Sequence, residues 1–210
     1  MGWELAFIKA LQSIANPLLD AFFGAVGELG GDVFWLAVIF LLFPLGRRKQ
    51  ALSLSVLLLS SFYLSYALKY AIMRPRPPPD LQRLGPRTDP SMPSTHSAEA
   101  VSNLGYVARE LRRKWSYVAC ALLAILAGLS RVYFGLHWPT DVLAGLGLGL
   151  LVLSSYLLLA EKPLGKAIKA RWELRVLFLP LPLALGVAAM LLTPPCWGRP
   201  SAYIGGLITG

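Results

Sequence analysis

The sequence predicts an all-α polytopic membrane protein, a six-transmembrane-helix bundle with an N-terminal amphipathic interfacial helix. Three observations carry this. Of 210 residues, 56% are hydrophobic and 15% charged, against about 25% charged in a soluble domain. Apolar stretches approaching the roughly 20 residues that cross a bilayer recur between clusters of charge. The basic residues are divided unequally between the loops that those stretches define. The length suits one membrane-integrated domain over residues 1–210, without a second soluble domain. A net charge of +9 would suggest nucleic acid in a soluble chain. Here the charges sit at the ends of apolar segments, so the lipid bilayer is the expected partner and nucleic acid is not.

The opening residues have no basic cluster ahead of their apolar positions and no small-residue cleavage pattern, so no signal peptide is expected. They read as an amphipathic helix lying at the interface, with Trp3, Leu5, Phe7, Ile8 and Leu11 against lipid. The first span, 20–46, is broken at Gly30, Gly31 and Asp32 and is expected to bend there. The second covers 50–70. The third, 94–109, is short and polar, which makes it a poor lipid-facing helix and places it inside the bundle. The fourth and fifth cover 115–134 and 139–160. In the fifth, Gly145, Gly147 and Gly149 suit close helix packing. The sixth covers 174–193. The long polar connection is 71–93, and Cys120 and Cys196 lie in unlike surroundings that do not suggest a disulfide framework.

Twelve lysines and arginines fall in the loops around residues 47–49, 109–114 and 162–175, and eight fall on the opposite side. The positive-inside rule makes the first set cytoplasmic and puts both termini outside. Alternation through six spans then brings three segments to the non-cytoplasmic face: the end of the second span with 71–93, the start of the third, and the turn 130–141.

Those three segments hold most of the reactive side chains, including the two histidines, His96 and His137. Lys69 and Arg131 at a membrane boundary are costly unless paired, and a phosphate dianion would satisfy several cations at once. The helix starting at Ser94 offers free backbone N–H groups and a positive dipole end to an anion. His137 and Asp141 stand four apart at the start of a helix, with Pro139 suited to its first turn. The carboxylate would fix one imidazole tautomer and leave the other nitrogen to attack phosphorus, while His96 would protonate the departing oxygen. Arg74 reads as a headgroup anchor ahead of a second phosphate ligand. Arg83 and Arg87 read as solvated or headgroup-facing, and Tyr133 and Trp138 as part of an interfacial aromatic belt. Glu99, one turn below His96, fits either a coupling to the site or a helix-packing hydrogen bond.

The blocks Lys-x6-Arg-Pro (Lys69 to Pro77), Pro-Ser-x-His (Pro93 to His96) and Ser-Arg-x5-His-x3-Asp (Ser130 to Asp141) resemble the type 2 phosphatidic acid phosphatase superfamily, in its membrane-integrated branch of lipid phosphate phosphatases. The motifs lie within 69–141. The resemblance implies a metal-independent phosphatase without cofactors, in which His137 becomes a phosphohistidine, Asp141 orients it and His96 is the acid. It further implies that Lys69, Arg76, Ser94, Thr95 and Arg131 bind the phosphate oxygens. Thr95 departs from the glycine usual in the middle block, which restricts the loop and adds a hydroxyl.

The expected substrate is a lipid phosphate. Polyprenyl (undecaprenyl- or dolichyl-type) phosphate or diphosphate comes first, because such carriers are released outside. Phosphatidic acid, phosphatidylglycerol phosphate and sphingoid phosphates stay open, and no obligatory protein partner is evident. A transporter would spread its charges through the depth of the bundle, and a metal on His96, His137 and Asp141 would be repelled by the neighbouring cations.

Overall fold

The computed structural model describes residues 2–162, which lie within one compact unit, Met1–Ala167. The expected sixth span at 174–193 and the tail 194–210 lie outside the described residues. Helix α1 is Gly2–Ser13, α2 Pro17–Gly27, α3 Asp32–Leu42, α4 Arg48–Ile72, α5 Thr95–Leu111, α6 Lys114–Tyr133 and α7 Pro139–Ser155, continued by a π-turn at Tyr156–Ala160. The described residues contain no strand.

Helices α4, α6 and α7 with its π-turn are long and apolar enough to cross a membrane. A 3₁₀ turn at Glu28–Gly30 separates α2 from α3, and the two halves meet at 58°, the geometry of a broken span or of a re-entrant pair, which makes three or four candidate spans among the described residues. The physical cause is local: Gly31 adopts an extended conformation (φ −91°, ψ 136°) and Asp32 restarts the helix. Large apolar side chains point away from the protein on all of these helices, among them Val33, Phe40, Leu64, Leu122, Ile125, Leu143 and Leu151. In water this would be an exposed patch far beyond what soluble monomers carry. In a bilayer it is the lipid-facing belt, and the chain is an integral membrane protein.

Helix α5 is the exception and the organiser. It is 17 residues long, packs against α4, α6 and α7, and buries Ser97, Glu99, Ser102 and Asn103. Ser61 of α4 and Ser102 of α5 exchange a hydrogen bond of 2.9 Å across the seam. Polar groups that lipid would reject are thereby hidden inside the bundle. On the other face of α5, a Cβ at Gly149 would lie 2.5 Å from the Ala98 carbonyl oxygen, and one at Gly145 would strike the Ser94 carbonyl. These two glycines let α7 approach α5 closely. Gly147 faces open space and has no such role.

Helix α1 does not lie with all its apolar side chains toward lipid. Ile8 is fully buried against Val132, Trp138 and Val142, with Leu5 and Leu11 packed beside it, while Trp3 and Phe7 stay exposed. Glu4, Ile8 and Gln12, spaced at four residues, form the inner face. Gln12 donates from Nε2 to the carbonyl oxygens of Leu81 (2.8 Å) and Tyr133 (3.0 Å).

Candidate active site

The C-terminal ends of α4 and α6 and the N-terminal ends of α5 and α7 meet at one end of the bundle, joined by the loop 73–94. Met73 takes a left-handed conformation (φ 54°) and donates to the Lys69 carbonyl at 2.8 Å, which ends α4. The following Pro75, Pro77, Pro78 and Pro79 prevent the helix from resuming. The loop folds back over the bundle end, where Ser91 N–H donates to Arg74 O (2.8 Å) and Ser94 N–H to Asp141 O (2.9 Å). The third sequence block is thus tied to the second, and the first to the loop just ahead of the second, by backbone hydrogen bonds.

His137 sits in the tight connection before α7 and is buried. Its backbone N–H reaches the Arg131 carbonyl at 3.3 Å. Its Nδ1 lies 3.5 Å from Asp141 Oδ2, near the carboxylate but too far to count as a hydrogen bond. Asp141 Oδ2 accepts from the Trp138 N–H at 2.9 Å, which fixes the carboxylate at the first turn of α7. His137 Nε2 faces Arg76 Nη1 at 3.3 Å. Burial, followed by the positive charges of Lys69 and Arg76, holds the imidazole well below its ordinary pKa, so the neutral ring is favoured.

Lys69 and Arg76 are gathered around Asp89. Arg76 Nη2 is 2.7 Å and Lys69 Nζ 3.5 Å from Asp89 Oδ2. Arg76 also donates to the carbonyls of Asp89 (2.9 Å) and Leu136 (2.7 Å), and Lys69 to those of Pro90 (2.8 Å) and Ser91 (3.3 Å). Burial raises the Asp89 pKa, but the neighbouring Arg76 and Lys69 outweigh it and keep the carboxyl ionised, below its usual value. Asp89 is a site residue that sequence reasoning missed, because one aspartate in an irregular loop carries no periodic signal.

Arg131 is buried beside Ser130, whose hydroxyl accepts from its Nε at 3.0 Å, and its guanidinium occupies the space that a side chain at position 27 would fill. A side chain at position 27 would displace that guanidinium. Ser94 caps α5, and its Oγ accepts from Ser97 Oγ at 2.9 Å. Thr95 Oγ1 is buried without a hydrogen-bond partner among the described residues. His96, in the first turn of α5, lies within electrostatic reach of Arg131, His137, Arg87 and Lys69.

Arg74 is not a headgroup anchor. It pairs with Asp141 Oδ1 at 2.6 Å and with Glu4 Oε2 at 2.8 Å, in front of the Trp138 ring. Tyr133 and Trp138 are buried, not part of an exposed aromatic belt, and the Trp138 indole donates to Pro75 O at 2.9 Å. Arg83 pairs with Asp20 at 2.6 Å. The Glu99 carboxylate oxygens are buried without a hydrogen-bond partner among the described residues, so of the two readings open for Glu99 the helix-packing hydrogen bond is not made there. No group of three or more His, Cys, Asp or Glu side chains converges on a metal position among the described residues.

The sequence and the fold are similar to those of known proteins. The chain is 31% identical to phosphatidylglycerophosphatase B of Bacillus subtilis over 70% of this chain and 78% of that one. It is 30% identical to an undecaprenyl-diphosphatase of Sulfolobus acidocaldarius, covering 71% and 74% of the two chains. It is 29% identical to lipid phosphate phosphatase delta of Arabidopsis thaliana over 74% of this chain, but spans only 42% of that protein's length. The crystal structure of the transmembrane PAP2-type phosphatidylglycerolphosphate phosphatase from Bacillus subtilis superposes with a TM-score of 0.66 at 30% identity, covering 80% of this chain and 87% of the other. A profile of the PAP2 superfamily matches residues 50–163, the stretch that contains all three blocks. The chain belongs to the PAP2 superfamily and is a membrane-embedded phosphatase.

Proposed function

We propose that the protein hydrolyses the phosphomonoester or diphosphate of a membrane lipid through a phosphohistidine intermediate, with polyprenyl phosphate or diphosphate as the leading substrate class. The observation that carries this reading is the cage of Lys69 and Arg76 closed on a carboxylate next to His137 Nε2. A site that already holds one anion against two cations offers the same donors to a phosphate. In this reading the substrate phosphate takes the place of the Asp89 carboxylate, and Lys69, Arg76, Ser94, Thr95 and Arg131 receive its oxygens. The amides of Thr95 and His96, which open α5, have no partner within the helix, and the unpartnered Thr95 hydroxyl supports a contact there.

With Nδ1 turned to Asp141, the His137 lone pair is on Nε2, where it attacks phosphorus in line with the leaving oxygen. The P–O bond breaks as the N–P bond forms. His96 gives its proton to the departing alkoxide, or to the departing phosphate of a diphosphate. It then takes a proton from the water that hydrolyses the phosphohistidine. No metal enters this scheme, because the cations neutralise the equatorial oxygens. A single domain over 1–210, six spans, an α1 that borders the interface and a site open to the non-cytoplasmic side complete the proposal. A lipid headgroup enters such a site from the membrane plane while its tail stays in the bilayer.

The experiment is phosphate release by detergent-purified protein from a panel of polyprenyl mono- and diphosphates, phosphatidic acid, phosphatidylglycerol phosphate and a sphingoid phosphate. Preferential turnover of the polyprenyl substrates is expected. Preference for a glycerolipid would overturn the substrate assignment and leave the chemistry standing.

A further inference from the structure

We infer that α1 is part of the catalytic apparatus: Glu4, acting through Arg74, sets how much negative charge Asp141 presents to His137. The inference rests on the proposed roles of His137 and Asp141 as nucleophile and orienting carboxylate.

One guanidinium is divided between two carboxylates. Arg74 Nη1 lies 2.6 Å from Asp141 Oδ1, and Nη2 lies 2.8 Å from Glu4 Oε2. Thr140 locks the junction: its hydroxyl is 2.5 Å from Arg74 Nη1 and 2.6 Å from Glu4 Oε1. Glu4 is only 3% exposed, in a helix that begins at Gly2, so its burial is a property of the docked helix and not of chance contact. Burial opposes its ionisation, but the Thr140 hydroxyl and Arg74 outweigh it and hold Glu4 below the usual carboxylate range. The helix is fixed along its inner face by Ile8 on Trp138 and by Gln12 on the carbonyls of Leu81 and Tyr133. It is therefore seated on the segment that carries His137.

The charges decide the consequence. Asp141 bonded to Arg74 alone would form a neutral pair with little negative potential left for the imidazole. With Glu4 added, the guanidinium is shared between two carboxylates and more negative charge remains on Asp141. That charge orients the ring, favours nucleophilic Nε2 and stabilises the positive imidazolium side of the phosphohistidine. It acts against a cationic background, since Lys69, Arg76 and Arg131 face His137 from the other elements, with Asp89 and His96 alongside. Glu4 and Arg74 are positioning residues and touch no substrate.

The test is a charge cycle read by the pH dependence of kcat/KM, all on one substrate. Glu4→Gln leaves Arg74 to Asp141 alone, lowers the basicity of His137, and is expected to move the acid limb down by about one pH unit with about a tenfold loss of turnover. Arg74→Gln takes the cation away from Asp141 and moves the limb up. The double variant Glu4→Gln/Arg74→Gln removes the guanidinium together with its second carboxylate and brings the limb back toward wild type. Ile8→Ala loosens the same helix without touching charge. It lowers thermal stability in detergent and leaves the limb in place. A purely structural role predicts the reverse: additive losses and an unmoved limb in all charge variants. That outcome overturns the inference. Should Glu4→Gln fail to fold, an unmoved limb in Arg74→Gln overturns it alone. His137→Ala separates the two layers, because activity retained there sinks the site assignment itself, whatever Glu4 does.

Discussion

At the residue scale, the site is built from side chains whose partners lie far away in sequence. Lys69, Arg76, His96, His137 and Asp141 could be found by reading, because their residue types are costly at a membrane boundary and their spacing is fixed within each block. Glu4, Arg74 and Asp89 could not, because what identifies them is contact. Arg74 and Glu4 are separated by 70 positions and Arg74 and Asp141 by 67, and no local pattern encodes such a pairing. Two predictions belong here. Asp89 occupies the cations that a phosphate needs, so Asp89→Asn should strengthen inhibition by inorganic phosphate several-fold. An unchanged inhibition constant would show that Asp89 does not compete for the cage. The buried, cation-flanked imidazole of His137 is neutral well below the ordinary histidine pKa of about 6.5. The nucleophile is the neutral form, and a lowered pKa means that protonation begins only at lower pH. The acid limb of kcat/KM should accordingly lie below the ordinary histidine value, and a limb at or above that value contradicts this environment.

At the element scale, hydropathy located α4, α6 and α7 within a few residues, and the polar composition of α5 correctly implied an interior helix. The bend between α2 and α3 was visible in Gly30, Gly31 and Asp32, which cannot hold a straight helix together. The inner face of α1 was misread because its apolar residues suit lipid and protein equally. Only the buried partners Val132, Trp138 and Val142 decide between them. The glycines of α7 divide in the same way. A Cβ at Gly145 strikes the Ser94 carbonyl and approaches Ser97 Cβ at 2.9 Å, whereas one at Gly147 meets nothing within 4 Å. Gly145→Val should cost about 1–3 kcal/mol in detergent unfolding and reduce turnover by displacing Ser94. Gly147→Ala should be close to neutral. Equal effects at the two positions would contradict the packing of α7 on α5.

At the scale of the whole molecule, an asymmetric charge distribution and an apolar belt orient a chain whose chemistry is confined to one end. At the opposite end Lys49 and Arg109 hold Glu161, at 3.2 and 2.7 Å, and no histidine is present there. The proposed orientation predicts that Leu84→Cys, exposed in the loop 73–94, is modified by a membrane-impermeant thiol reagent from outside intact cells, whereas Arg112→Cys is not. Reversed labelling would invert the topology and move the substrate pool to the cytoplasmic leaflet. The central claim is that His137 carries the phosphoryl group. It is tested most directly by mixing detergent-purified protein with substrate bearing a radiolabelled terminal phosphate and quenching in alkali, where phosphohistidine survives. Wild-type protein should retain a label that maps to residue 137 and is lost in acid, while His137→Ala should neither take up label nor release phosphate. Wild-type turnover by His137→Ala, or a label on another residue, would contradict the account.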